Sequence, residues 1–194
     1  MSTQVAKRHH YVPQFYLNRF ASSELLWAYD LKTGREVTTR SVNLAVEKGY
    51  HDFAFPEGLD RGIEPLIGKF EGSQEQIREL LDVVIDFDLV EALVDSPWKL
   101  LQAPARAEFM VTDNPVFVAD DAPLLVPLDR HRMLMITDRP KDEGKREILT
   151  QRRVAEINID MISDAARWVF GSPRWGSRGA GRAMVTAARA ARTA

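Results

Sequence analysis

Near the start of the chain, a mostly apolar run at 25–31 (LLWAYDL) is followed by a more polar run at 35–42 (REVTTRSV). Both runs are rich in β-branched and aromatic residues, which predicts two β-strands. Lys32, Thr33 and Gly34 separate them, and a glycine can supply the positive φ that a short turn requires. This part of the chain is therefore predicted to form a β-hairpin.

The apolar residues then change to a helical spacing. After a loop with glycine, proline and aromatic residues at 49–62, the apolar residues of 63–70 fall on one face of a helix. Ser73 and Gln76 resemble a capping box that opens a second helix, which is expected to end before Pro97. Two helices are therefore predicted in this middle segment.

From Glu108 onward the pattern is again typical of strands. Four short apolar runs, EFMVT, VFVA, LLVPL and MLMIT, are separated by turn residues. An exposed loop, RPKDEGKRE, follows, and a last core helix is expected from about Thr150 to Trp168. The order of strands, helices, strands and helix indicates an α+β fold, with an antiparallel sheet of short strands packed with about three to four helices.

Length and composition favour one folded domain. The chain has 194 residues, of which 45% are hydrophobic and 28% charged, and these are usual values for globular domains. A chain of this length buries about 70% of its unfolded surface. We expect a single α+β domain at 1–172 and a basic Gly/Ala/Arg-rich tail at 173–194, which forms a flexible or helical appendage.

The chain has no cysteine. Disulfides, thiolate nucleophiles and cysteine-ligated metals are therefore excluded. No apolar run approaches the roughly 20 residues of a membrane helix, and the first residues are polar and basic. We therefore expect a cytoplasmic protein that is not inserted into a membrane.

Basic charge is concentrated near the end of the chain, where 165–194 contains six arginines and no acidic residue. Arginines in such a segment can hold the phosphates of a nucleic acid through contacts that do not depend on base sequence. A solvated terminal helix is the commoner explanation for this composition, and it is the one we favour.

Two of the four histidines are adjacent, at His9 and His10, and they begin the segment HHYVPQFYLNRF. In an extended segment their side chains point to opposite faces, so they do not form a chelating pair. One imidazole could act as a general base or a metal ligand, because its unperturbed pKa lies near neutral pH. Equally, one could donate to a backbone carbonyl and anchor this segment. The residues alone leave both interpretations open.

Two further polar features lie later in the chain. Thr112-Asp113-Asn114-Pro115 places a carboxylate beside an amide at the end of a strand, where it could bind a metal or orient a histidine. An Asx turn, in which Asp113 or Asn114 bonds its own backbone, is the favoured alternative. Asn158 lies in an apolar helical segment and requires a partner if it is buried, either as a structural clip or within a polar site.

Signature motifs of several enzyme classes are absent from the sequence. It contains no GxxxxGK[ST], GxGxxG, HExxH, GxSxG or DxDxDG segment. Nucleoside-triphosphatase, Rossmann, zincin, α/β-hydrolase and EF-hand functions therefore have no support.

Taken in order, these motifs resemble a bacterial family known as domain of unknown function 4238. Its members begin with a histidine pair followed by YVPxFYL and RF, and later have a TDNP-like turn, a Pro-Leu segment and an asparagine in the final helix. The matching residues here are His9 to Leu17, Arg19, Phe20, Thr112 to Pro115, Pro127, Leu128 and Asn158. The resemblance covers nearly the whole chain and implies that these separated polar motifs lie together.

The chain also departs from the family pattern. Members are commonly longer, with an extended helical middle, whereas 63–97 has room here for only about two helices. Asp129-Arg130 stands where the family usually has Ser-Pro, in a charged turn that we expect to be solvated. The resemblance implies a shortened member, in which an ancestral activity has either been kept or been lost while the scaffold remains.

Two functional hypotheses follow. The first is a hydrolase-like site, directed at phosphodiesters, in which His9 or His10 acts as base or metal ligand and Asp113 orients it or shares the metal. Its substrate-binding residues are Gln14, Tyr16, Arg19, Asn114 and Asn158. A divalent metal would suit this chemistry, although no specific metal motif is present. The second hypothesis is a non-catalytic binding or protein-interaction module in which the same motifs are structural.

Overall fold

The computed structural model describes residues 9–10, 12–47, 53–55, 58–60, 96–118, 124–137 and 143–192. The chain divides into two compact units, one made of residues 1–13 and 46–95 and the other of 14–45 and 96–194. The two helices predicted in the middle segment lie outside the described residues. The predicted boundary between a domain at 1–172 and a tail stays a prediction.

Four short strands of the first unit form two antiparallel pairs. They are β1 (His9–His10), β4 (Val46–Glu47), β5 (Phe53–Phe55) and β6 (Gly58–Asp60). β1 pairs with β4, and β5 pairs with β6. A pair of strands therefore lies in the segment for which the sequence predicted a loop.

The second unit contains a four-stranded antiparallel sheet in the order β3-β2-β13-β8. Its strands are β2 (Leu26–Asp30), β3 (Glu36–Thr39), β8 (Val111–Thr112) and β13 (Trp168–Gly171). The predicted hairpin is confirmed as β2 and β3, and Gly34 in its turn has a φ of +70°. β13, at the centre of this sheet, was not predicted.

A five-stranded sheet in the order β12-β7-β11-β10-β9 completes the second unit. Its strands are β7 (Trp98–Gln102), β9 (Phe117–Val118), β10 (Leu124–Asp129), β11 (Arg132–Ile136) and β12 (Lys145–Ile148). β12 runs parallel to β7 and the other pairs are antiparallel, so this sheet is mixed. β12 overlaps the predicted exposed loop. The sequence does not indicate a strand there, because all four residues of β12 are exposed and show no alternation of apolar and polar residues.

Three α-helices lie in the described ranges, which confirms the α+β class at the low end of the predicted helix number. They are α1 (Gln14–Leu17), α2 (Gln151–Asp164) and α3 (Ala180–Arg192), with 3₁₀ helices at Ser41–Asn43 and Pro173–Gly179. α2 begins close to its predicted start, with Thr150 as its N-cap: the Thr150 hydroxyl accepts from the Arg153 N–H at 3.1 Å. None of the described helices has the length and apolar character needed to cross a bilayer.

α2 contributes to two hydrophobic clusters. Its residues Val154, Ile157 and Met161 pack with apolar side chains of the five-stranded sheet. Ile162 packs instead with β2, β13 and the inner face of α3. Burial of both faces holds α2 between the sheets, and it places the polar residue Asn158 in the middle of the core.

Candidate functional site

Asn158 is completely buried, and its side chain is bonded to backbone. Its Oδ1 accepts from the Met110 N–H, and its Nδ2 donates to the Glu108 carbonyl, each at 3.0 Å. The segment before β8 is thereby clipped to α2. These hydrogen bonds form a structural clip, and Asn158 also lies in the lining of a cavity of about 470 Å³.

The Asp113 carboxylate is bonded across the chain rather than within its own turn. Its Oδ1 accepts from the Ala166 N–H at 3.1 Å, and its Oδ2 accepts from the Trp168 N–H at 3.0 Å. Burial raises the pKa of Asp113, and these backbone hydrogen bonds offset part of that effect. Asp113 therefore fixes the connection between α2 and β13, which explains why the helix ends at Asp164 and does not reach Trp168.

The other residues of this turn are also held by local contacts. The Thr112 hydroxyl donates to the Asn114 carbonyl at 2.7 Å and accepts from the Asn114 N–H at 3.2 Å, so threonine closes the turn. The Asn114 amide donates to the Asp164 carboxylate at 2.5 Å. The motif TDNP thus ties the end of β8 to the end of α2.

Tyr16 connects two of the motifs that carry the family resemblance. Its hydroxyl donates to the Pro127 carbonyl at 2.6 Å, and its ring packs edge-on against Phe20 with centroids 5.4 Å apart. Burial raises the pKa of the Tyr16 phenol, so it stays protonated and able to donate. This bond attaches α1 to β10.

Arg19, on the turn after α1, lines an open cleft of about 740 Å³ over the five-stranded sheet. The charged or titratable residues that line it are Arg19, Asp129, Arg130, His131, Arg132 and Arg146. They come from the α1 turn, the β10–β11 turn and β12. The cleft therefore gathers basic side chains from three distant parts of the sequence, and Arg19 is the predicted site residue among them.

Asp129 forms an ion pair with one of these arginines, Arg132. Its carboxylate lies 2.6 Å from the Arg132 guanidinium and also accepts from the backbone N–H groups of His131 and Arg132. Burial alone would raise the pKa of Asp129, but these bonds outweigh it and lower the pKa. Arg19, Arg130 and Arg146 have no ion-pair partner in the described part of the chain. Among the described residues, the lining of the cleft thus includes three positive charges that form no ion pair.

Three arginines of the C-terminal segment are engaged with the fold. Arg182 lies 2.9 Å from the Glu36 carboxylate, and Arg189 donates to the Leu31 carbonyl at 2.6 Å. Arg174 donates to the Arg106 carbonyl at 2.8 Å. These contacts hold α3 and the 3₁₀ helix before it against the rest of the second unit.

The histidine pair lies in the first unit, where His9 is opposite Glu47 and His10 is opposite Val46 in the β1–β4 pair. Its predicted convergence with Asp113 and Asn158 stays a prediction. Gln14 begins α1 and is half-buried. Within the described ranges, no group of three His, Asp or Glu side chains is arranged to hold a metal ion.

Sequence reasoning missed Arg130 and Arg146 as members of the cleft. The sequence predicts a solvated turn at Arg130 and an exposed loop at Arg146, whereas both residues line the cleft. The available signal was the dense DRHR run at 129–132, directly after the Pro-Leu segment. Nothing in the sequence indicates that β12 brings Arg146 beside it, because that contact depends on the parallel pairing with β7.

The sequence of this chain matches a known protein family. A family model described as "Protein of unknown function (DUF4238)" matches residues 8–86 and 87–174. No curated protein and no solved structure matches the chain. The two matched segments cover most of the sequence and include the histidine pair, Tyr16, the TDNP turn and Asn158. The chain therefore belongs to the DUF4238 family.

Proposed function

We propose that this protein is a non-catalytic binding module, and that the Arg19 cleft binds a phosphate-bearing ligand. The observation that carries the proposal is the convergence of Arg19, Arg130 and Arg146, without ion-pair partners among the described residues, in one concave surface. Like charges in one cleft repel each other, and an anion that enters it relieves that repulsion.

Guanidinium groups suit phosphate because their planar array of donors can form two parallel hydrogen bonds to its oxygens. Arg19, Arg130 and Arg146 come from three parts of the chain, so they could contact a phosphate group from more than one side. Asp129 would not compete with the ligand, because its carboxylate is already bonded to the β10–β11 turn and to Arg132.

The contacts of Asp113 and Asn158 favour this function over hydrolysis. Each of these side chains is hydrogen-bonded to backbone groups of a distant segment. A structural role is sufficient to explain these contacts, and no catalytic role is needed. The hydrolase-like site with His9 or His10 as base remains the alternative prediction. It requires a phosphodiesterase activity that His10→Ala abolishes without unfolding the protein.

Isothermal titration with inorganic pyrophosphate at low salt tests the proposal. Arg130→Gln and Arg146→Gln should each weaken binding about tenfold, which corresponds to about 1.4 kcal/mol. Arg35→Gln is the matched control, because Arg35 is an exposed arginine in the β2–β3 turn, outside the cleft. Absence of binding to the wild-type protein would overturn the proposal, and so would an equal loss in the control.

The cytoplasm is the compartment that we propose with this function. A cysteine-free sequence suits it, because such a chain needs no oxidising environment for disulfide formation. Fractionation of cells that produce the native protein would test this assignment.

A further inference from the structure

A second cavity in the same unit has a different character from the Arg19 cleft. It has a volume of about 470 Å³ and lies between the segment before β8, the first turns of α2 and the 3₁₀ helix Pro173–Gly179. Val154, Ala155 and Trp175 give it largely apolar walls. This volume and lining are typical of sites for small molecules.

Glu108 is a buried acid in the lining of this cavity, with 8% of its surface exposed. The Ser172 hydroxyl donates to one carboxylate oxygen, and the other has no hydrogen bond among the described residues. That second oxygen is accessible to solvent. Among the described side chains, the only polar atom that is inaccessible to solvent and makes no hydrogen bond is the indole nitrogen of Trp175. No cation in the described ranges lies within ion-pair distance of Glu108. A buried carboxylate without a cation is costly, so this group is suited to a cationic partner.

Two arginines supply charge of the opposite sign in the lining of the same cavity. Arg106 and Arg174 are both exposed, and the Arg174 guanidinium donates to the Arg106 carbonyl at 2.8 Å. Within the part of the chain that the structure describes, neither arginine forms an ion pair with Glu108 or with another acid. The cavity therefore has a negative pole and a positive pole that do not neutralise each other.

We propose that this cavity binds a small zwitterion with an apolar body, of the class of the apolar and aromatic amino acids. The ammonium group of the ligand pairs with Glu108, and its carboxylate pairs with Arg106 and Arg174. Its side chain packs against Val154, Ala155 and Trp175, and the indole ring adds a favourable surface for the ammonium group. This site is independent of the phosphate-binding function proposed for the Arg19 cleft.

Titration with three related probes tests the requirement for both poles. L-Phenylalanine carries both charges, phenethylamine lacks the carboxylate, and 3-phenylpropionate lacks the amine. We expect L-phenylalanine to bind and each of the other two to bind at least tenfold more weakly. The proposal is overturned if L-phenylalanine does not bind at millimolar concentration, or if either analogue binds as tightly as L-phenylalanine.

Two substitutions locate the binding. Glu108→Gln keeps the side-chain size and an acceptor for Ser172 but removes the charge, and Ala155→Leu fills the cavity from a helical position that tolerates leucine. Each should reduce L-phenylalanine affinity at least tenfold. Glu24→Gln, at an acid that is 77% exposed, is the charge-matched control and should bind normally. Unchanged affinity in either cavity variant overturns the proposal. If neither variant folds, the three probes alone decide.

Discussion

Replacement of Asn158 by alanine would test whether this buried amide is a structural clip. The substitution removes an acceptor from the Met110 N–H and a donor from the Glu108 carbonyl, both in the core between the two sheets. Asn158 is completely buried, so in the wild-type protein the amide itself satisfies both backbone groups. We therefore expect the variant to have a much lower free energy of unfolding than the wild-type protein.

The magnitude follows from the two backbone groups that lose their partners. A buried polar group left unsatisfied costs about 1–3 kcal/mol, so two such groups cost about 2–6 kcal/mol before any relaxation. Domains are stable by about 5–15 kcal/mol in total. In a chain of this size, a loss of this magnitude lowers the melting temperature by roughly 5–20 °C.

Urea denaturation followed by tryptophan fluorescence measures this loss, with Trp27, which is 1% exposed, among the reporters. Asn43→Ala is the matched control, since Asn43 is exposed and its amide donates to the Thr39 hydroxyl in an exposed hydrogen bond. That variant should lie within about 0.5 kcal/mol of the wild type. If Asn158→Ala also lies within 1 kcal/mol, the clip contributes little and the structural reading of Asn158 is refuted.

Three further variants probe separate contacts. Asp30→Asn should weaken the acid dependence of stability. Burial alone would raise the pKa of Asp30, but the bonds from Arg167 and nearby backbone lower it, so its stabilisation is full above about pH 4 and is lost as pH falls through the lowered pKa. An unchanged pH profile of the melting temperature would contradict this. Gly181→Ala should lower the melting temperature, because the added Cβ would lie 2.5 Å from the Trp27 ring, which is packed in the core; an equal or higher value would show that the ring can move. Tyr16→Phe should lower the free energy of unfolding, measured by urea denaturation, by about 1 kcal/mol through loss of the hydroxyl bond to β10. An unchanged free energy of unfolding would show that this bond does not stabilise the protein.

The parts of the fold that could be predicted are those where local pattern and tertiary contacts agree. The β2–β3 hairpin has strand-forming residues and a glycine with positive φ, and α2 begins at a threonine cap. β12 was missed because it is polar and exposed, and only its pairing with β7 makes it a strand. The segment after α2 leaves the helix because the Asp113 carboxylate binds two of its N–H groups, a contact over more than 50 residues that periodicity does not contain.

The candidate site could be predicted only in part for the same reason. The sequence predicts Arg19 as a substrate-binding residue of a phosphodiester-directed site, and this residue lines the basic cleft. It gave Arg130 no role, since a charged turn is most often solvated. Glu108 was not predicted either, because the sequence does not indicate that an acid at the start of an apolar run will be buried without a cation.

The contacts of Tyr16, Asp113 and Asn158 suggest what the family motifs have in common. Each of these side chains bonds the backbone of a segment that is between 48 and 111 residues away along the chain. Such ties connect α1 to β10, β8 to β13, and α2 to the segment before β8. Residues that join distant backbone segments are required by the architecture whatever ligand is bound. The chemistry that distinguishes one member from another is therefore expected at positions between the motifs, and here those positions include Arg130, Arg146 and Glu108.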